Sequence, residues 1–281
     1  MADAQHVDES ALGPDAMIAR RLKFHRARLG LSQREVAEMI GYPQSYIARI
    51  ETMKQRPSDA VAAALDEKLG THREFTDLLE MARSMLILPG SRETVAKETE
   101  AERIRVFNSS GIPGLLQTDE YARALIRKGL PRESNEEIAE KAAERLRRQA
   151  RVFGKEDPPF YRAVIDEAAL ARPVGSKKIM TEQLRRLLTY RENPLIRIQV
   201  LPFNSFEHGM QGGSLFLLDL TEGGTIALVE SFRTGHGIES PREVAEYEEL
   251  FEATQMAALS EKASSDVVLR YLKEYEHESD D

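Results

Sequence analysis

"LSQREVAEMIGYPQSYIARIETMKQRPS", Leu31 to Ser58, packs two helix starts, a glycine turn and a basic loop into one short stretch. Ser32 is followed three residues on by Glu35. In that spacing a hydroxyl and a carboxylate satisfy each other's backbone N–H at a helix start. Val36, Ala37 and Ile40 then recur at helical spacing, and Gly41 suits the left-handed turn that ends a helix. A second helix begins at Pro43 or Gln44, because a proline's missing N–H needs no partner there. It buries Ile47 and Ile50. Working outward, Ile18, Leu22 and Leu29 share the face of a helix over about 15–29, closed by Gly30. Ser58 caps a further helix with Leu65 and Leu69 inward, closed by Gly70. Four or five short helices therefore share one small core before about residue 75.

Charge is uneven along the chain. The formal net charge is −8 overall, yet Met17–Ser58 carries +6, which leaves −14 for the rest. A basic module on an acidic body points to a local polyanion site. Two short helices joined at "GYPQ" can place one helix in a DNA major groove while the other braces it across the backbone. With Ile47 and Ile50 buried, Gln44, Ser45, Tyr46 and Arg49 are left on outer faces as base readers. Gln can bond adenine in a bidentate way and Arg can do so with guanine. Gln33 at the bracing helix's start, and Lys54 and Arg56 in the following loop, are placed for phosphate contacts.

These residues carry a resemblance. Residues 18–69 resemble the Cro/xenobiotic-response-element type of helix-turn-helix, through "LSQREVAEMIG" followed by "QSYIARIE". The resemblance implies base reading at Gln44 and Ser45, with a third reader one turn on at Arg49. It also implies a structural ion pair between the first and third helices, which falls on Arg26 and Glu51. Tyr42–Pro43 departs from the pattern, where small polar capping residues are commoner.

The expected organisation is a leader over 1–14, a DNA-binding domain over 15–75, a helical connector over 76–99, an α+β domain over 100–274 and an acidic tail over 275–281. In the α+β part, Thr118 and the Ser134/Glu137 pair start helices, and further helices fall on 176–192, 240–259 and 264–275. Strands are expected at 160–166, 196–202, 213–220 and 225–231, the last two as a hairpin around "TEGG". The fold class is thus an all-α helix-turn-helix domain followed by an α+β domain with a small, mostly antiparallel sheet. In "IPGLLQTDEYARALI", Pro113–Gly114 turn the chain, Leu115 and Leu116 pack inward and Thr118 caps. The alternative is a partner or ligand groove lined by Gln117 and Tyr121. This stretch, with "FYRAVIDEAAL", "QLRRLLTYRENPLIRIQVLPF", "HGMQGGSLFLLDL" and "ALVESF", resembles the C-terminal domain of actinomycete WhiJ-like, antitoxin-like regulators. That resemblance implies a small partner protein encoded next door.

Composition narrows the rest. The chain has no cysteine, which removes disulfides, thiolate metal sites and cysteine nucleophiles. No apolar run approaches the ~20 residues that span a bilayer, and the acidic start has no export signal, so a cytoplasmic protein, nucleoid-associated when on DNA, is expected. His208 and His236 lie in glycine-containing loops with Asp166, Glu207 and Glu230 available, but no catalytic or metal motif frames them. No enzyme, cofactor or metal is expected. The expected activity is sequence-specific regulation of transcription, as a repressor, by a homodimer on duplex DNA. Its second domain would dimerise or bind the neighbour-encoded protein. The alternatives are an antitoxin-like protein that mainly sequesters its partner, and a small-molecule-sensing repressor.

Overall fold

A computed structural model of the chain describes residues 13–205, 209–210 and 212–277. Most of the expected leader, Glu207, His208 and residues 278–281 lie outside the described residues. The chain divides into two compact units between Leu86 and Ile87.

The first unit is helical. Helix α1 (Pro14–Arg28) has Pro14 in its first turn and turns Ile18, Ala19, Leu22 and His25 inward. Helix α2 (Gln33–Ile40) starts on a complete capping box: Glu35 N–H donates to Ser32 Oγ and Ser32 N–H to Glu35 Oε2 at 2.7 Å. Gly41 ends it at φ 75°, a conformation that costs a residue with a Cβ dearly. Helix α3 (Gln44–Glu51) follows at once, with Pro43 as the residue before its first turn. Helix α4 (Asp59–Leu69) is capped by Ser58 and closed by Gly70. The expected connector is corrected here. Helix α5 (Glu74–Ser84) sends Phe75, Leu78, Leu79 and Ala82 into the same core as Leu22, Ile47 and Leu65. Asp66 of α4 starts it, accepting from the N–H groups of Phe75 at 2.9 Å and Thr76 at 3.0 Å.

The second unit is built on a six-stranded sheet in the order β3-β2-β1-β4-β5-β6. The strands are β1 (Ala101–Asn108), β2 (Phe160–Asp166), β3 (Ile196–Leu201), β4 (Ser214–Leu220), β5 (Thr225–Ser231) and β6 (Thr234–Ile238). The sheet is mixed. β1, β2 and β3 run parallel, while β4 pairs antiparallel with β1, β5 with β4 and β6 with β5. Parallel neighbours need long crossovers. Helices α7 (Asp119–Gly129) and α8 (Asn135–Phe153) lie between β1 and β2, and α9 (Ala168–Ala171) and α10 (Lys177–Thr189) between β2 and β3. Residues two apart share a face. Ile104, Val106, Tyr161, Ala163, Phe216 and Leu218 pack in one core with Val152 of α8, Leu184 of α10 and Val268 of α12 (Glu261–His277). Phe107, Val164, Leu215 and Leu217 turn the other way, onto Val244 and Phe251 of α11 (Pro241–Ala257).

Two strands, β1 and β6, lie outside the expected set. In β1 the pattern is masked because both faces are buried around Phe107, so alternation is lost. In β6, "TGHGI", two glycines lower strand propensity. They are needed because the short helix α6 (Arg92–Ala96) and the segment before it cross directly on the strand. A Cβ on Gly235 would stand 1.9 Å from Ser91 Oγ, and one on Gly90 would stand 1.9 Å from the Gly235 carbonyl oxygen. The acidic-tail expectation is also corrected at 275–277, which stay helical. The buried Tyr275 donates from its hydroxyl to the carbonyls of Leu170 and Ala171.

Candidate nucleic-acid interface

Helices α2 and α3 are locked together before either can meet DNA. Arg26 of α1 grips Glu51 with Nε at 2.7 Å and Nη2 at 3.2 Å, and donates from Nη1 to the Leu31 carbonyl at 3.1 Å. Glu51 is 2% exposed. The bond to Glu51 raises the Arg26 guanidinium above its ordinary value against the opposing effect of burial. Breaking a partly buried pair from one side costs about 2–3 kcal/mol, between exposed and fully buried cases. Gln33 joins this pair, since its Nε2 donates to Glu51 Oε2 at 2.7 Å. Its side chain, expected at a phosphate, instead braces α2 against α3.

On α3 the inward residues are Ile47, Ile50 and Glu51. Gln44, Ser45 and Arg49 are exposed on the other side. No acidic residue lies in the first turn and Pro43 supplies no side-chain cap, so the positive end of the helix dipole is not offset there. Arg49 is preset: its Nε donates to Gln55 Oε1 at 2.7 Å and its guanidinium lies 5.8 Å from the centre of the Tyr46 ring. Gln55 has no signal in the sequence, because a partner six residues on meets Arg49 only through the tight turn after α3.

Tyr46 departs from the base-reading expectation. It is half-buried, stacks at 5.1 Å on Tyr42, and accepts on its hydroxyl from the Ser58 N–H at 3.2 Å. It therefore ties α3 to the start of α4. Arg56 departs too. Its Nε and Nη2 hold both carboxylate oxygens of Asp15, at 2.5 and 2.6 Å, so it closes the loop onto α1. Lys54 is exposed.

The proposed groove at Gln117 and Tyr121 is absent among the described residues. Gln117 is 3% exposed and Tyr121 fully buried. Gln117 donates to the Ile112 carbonyl at 2.7 Å and accepts from Arg145 at 2.6 Å. Tyr121 accepts on its hydroxyl from the Ile112 N–H at 3.2 Å. Burial pushes its phenol up from the ordinary value despite that bond and the nearby Arg145 charge. Among the described residues, the other side chains weighed for chemistry are not gathered either. Asp166 accepts from Ala168 N–H, Glu230 accepts from the Ser91 hydroxyl, and His236 is exposed on β6. No cluster of three metal-ligating side chains occurs among the described residues, and no described helix is long and apolar enough to cross a membrane.

A braced α2 behind an α3 that exposes Gln44, Ser45 and Arg49 defines a helix-turn-helix module, and the chain is a DNA-binding transcription regulator that carries a Cro/C1-type domain in its first unit. A family model described as Helix-turn-helix matches residues 22–75. A second, described as Domain of unknown function (DUF5753), matches residues 91–270, and the chain belongs to that family. No curated protein and no solved structure matches the chain.

Proposed function

We propose that the chain is a sequence-specific repressor that reads duplex DNA through Gln44, Ser45 and Arg49. One observation carries this reading: those three side chains share the exposed side of α3, while the neighbouring Tyr46, Gln33 and Arg56 are spent on holding the helix in place. Arg49 is aimed by Gln55 before DNA arrives, which lowers the ordering cost of a guanine contact. Lys54 adds a phosphate contact that sets register but reads no base. The protein acts in the cytoplasm on the nucleoid. It binds as a homodimer, because one module touches few base pairs and two half-sites about 34–36 Å apart multiply affinity. The second domain supplies dimerisation or binds a small neighbour-encoded protein, and performs no chemistry. Its resemblance to WhiJ-like regulators supports the partner.

The test is Arg49→Ala against the operator recovered by genome-wide mapping. A bidentate base contact is worth about 1–3 kcal/mol, so cognate affinity should fall by about 5- to 150-fold. Non-cognate affinity should stay near that of the unsubstituted protein. Equal loss on both DNAs would leave Arg49 only a phosphate role. Sedimentation of the full chain as a monomer at its operator-binding concentration would remove the dimer.

A further inference from the structure

Helix α10, the edge strand β3 and helix α12 border a half-open cavity of about 190 Å³. Its lining is apolar at Leu187, Ile196, Ile198 and Val268, and Tyr190 joins them. The Tyr190 hydroxyl is buried and has no hydrogen-bond partner among the described residues. The remaining lining includes three cations, Arg191, Arg197 and Lys262, against one acid, Glu261. Arg197 meets that acid at 3.2 Å.

Positive charge is concentrated here although acidic residues outnumber basic ones over 87–281. Arg197 lies directly across from Arg162 on β2, and Arg162 directly across from Arg105 on β1. Like charges placed opposite one another repel. Arg105 is answered by Asp219 and Glu248, each at 2.6 Å. Arg162 is exposed and has no ion-pair partner among the described residues. Arg105 and Arg162 lie on the face of the sheet opposite Ile196 and Ile198, so the charge beside the hollow is that of Arg191, Arg197 and Lys262 against Glu261.

We propose that this cavity binds a small apolar carboxylate. An apolar hollow of about 150 Å³ takes benzene, so the space suits a body of about six to eight carbons. The head group would sit among Arg191, Arg197 and Lys262, where a guanidinium matches a carboxylate with two parallel hydrogen bonds. The proposal goes beyond DNA recognition and is measured without DNA, so its failure leaves the operator-binding reading intact.

The experiment is calorimetric titration of the full chain with octanoate, octylammonium and acetate. Octanoate should bind saturably at one site, about five- to tenfold tighter than octylammonium, a ratio expected from a few partly exposed charges. Acetate, with the head but no body, should not saturate. Arg191 and Lys262 are exposed, so Arg191→Glu with Lys262→Glu should fold and reverse the preference toward octylammonium. Leu188→Trp, which fills the cavity from a half-buried lining position, should weaken octanoate. The proposal is overturned if no probe saturates, if octanoate and octylammonium bind alike, or if either variant leaves octanoate binding unchanged.

Discussion

Gln44 and Gln117 both stand at a helix start, and Tyr46 and Tyr121 both follow within the first helical turns. Their fates differ. Gln44 is exposed on α3, while Gln117 is buried with both ends of its amide bonded. Each tyrosine accepts one backbone N–H at 3.2 Å, but Tyr46 does so half-exposed and Tyr121 fully buried. What covers the helix makes the difference. The outer side of α3 has no covering layer within its unit, whereas Gln117 is enclosed with Gln149 of α8 and Gln183 of α10 bonding the adjoining backbone. Residue type sets what a side chain can do, and its cover decides whether it reads a partner or supports the fold.

The largest effect expected from this contrast is Gln117→Ala. It should lower the stability of the second unit by about 3–5 kcal/mol, because it leaves a cavity and strands the Ile112 carbonyl and Arg145. Gln44→Ala should stay within about 0.5 kcal/mol. Chemical denaturation of both variants measures the gap, and equal costs would break the comparison.

Asp66 sharpens it within the first unit, as a buried polar group among exposed ones. Burial opposes its charge. The hydroxyls of Thr71 and Thr76 and the N–H groups of Phe75 and Thr76 outweigh that and hold its carboxyl below the ordinary value. The folded value is depressed, so the stabilisation is present above the unfolded value near 3.9 and is lost as pH falls from there through the folded value. Asp66→Asn should cost about 2–3 kcal/mol at neutral pH. The gap should close as the pH of thermal melts falls from about 5 toward 2. A gap that stays constant over that range would mean the charge contributes nothing.

The two hydroxyls can be compared with one change each. Tyr121→Phe leaves the buried Ile112 N–H unpaired and should cost about 1–3 kcal/mol. Tyr46→Phe frees an N–H that water can reach and should cost about 0.5–1 kcal/mol. The smallest effect on folding belongs to Lys54→Ala. It should not move the melting temperature, but should reduce the slope of log affinity against log salt by about 1 on any DNA. An unchanged slope would take Lys54 off the phosphate backbone.

Local signals were enough for much of the first unit. The Ser32/Glu35 box, Gly41, Ser58 and Gly70 are short-range devices, and the helices they bound start or stop at those residues. Amphipathic helices in the second unit were legible for the same reason, as were the four strands with strong apolar runs. β1 and β6 were not, because one is buried on both faces and the other is a strand only through its pairing with β5 and the segment laid across it. The tertiary structure alone decided how the polar side chains divide. Gln33 binds Glu51, Arg56 binds Asp15, Tyr46 meets Ser58, and Gln117 meets Arg145. Each partner lies on another element, from 12 to 41 residues away along the chain. Periodicity and caps act over a few residues and are written in the local sequence. A long-range hydrogen bond depends on where packing brings two elements together, so only the folded chain separates a side chain that waits for DNA from one that is already spent.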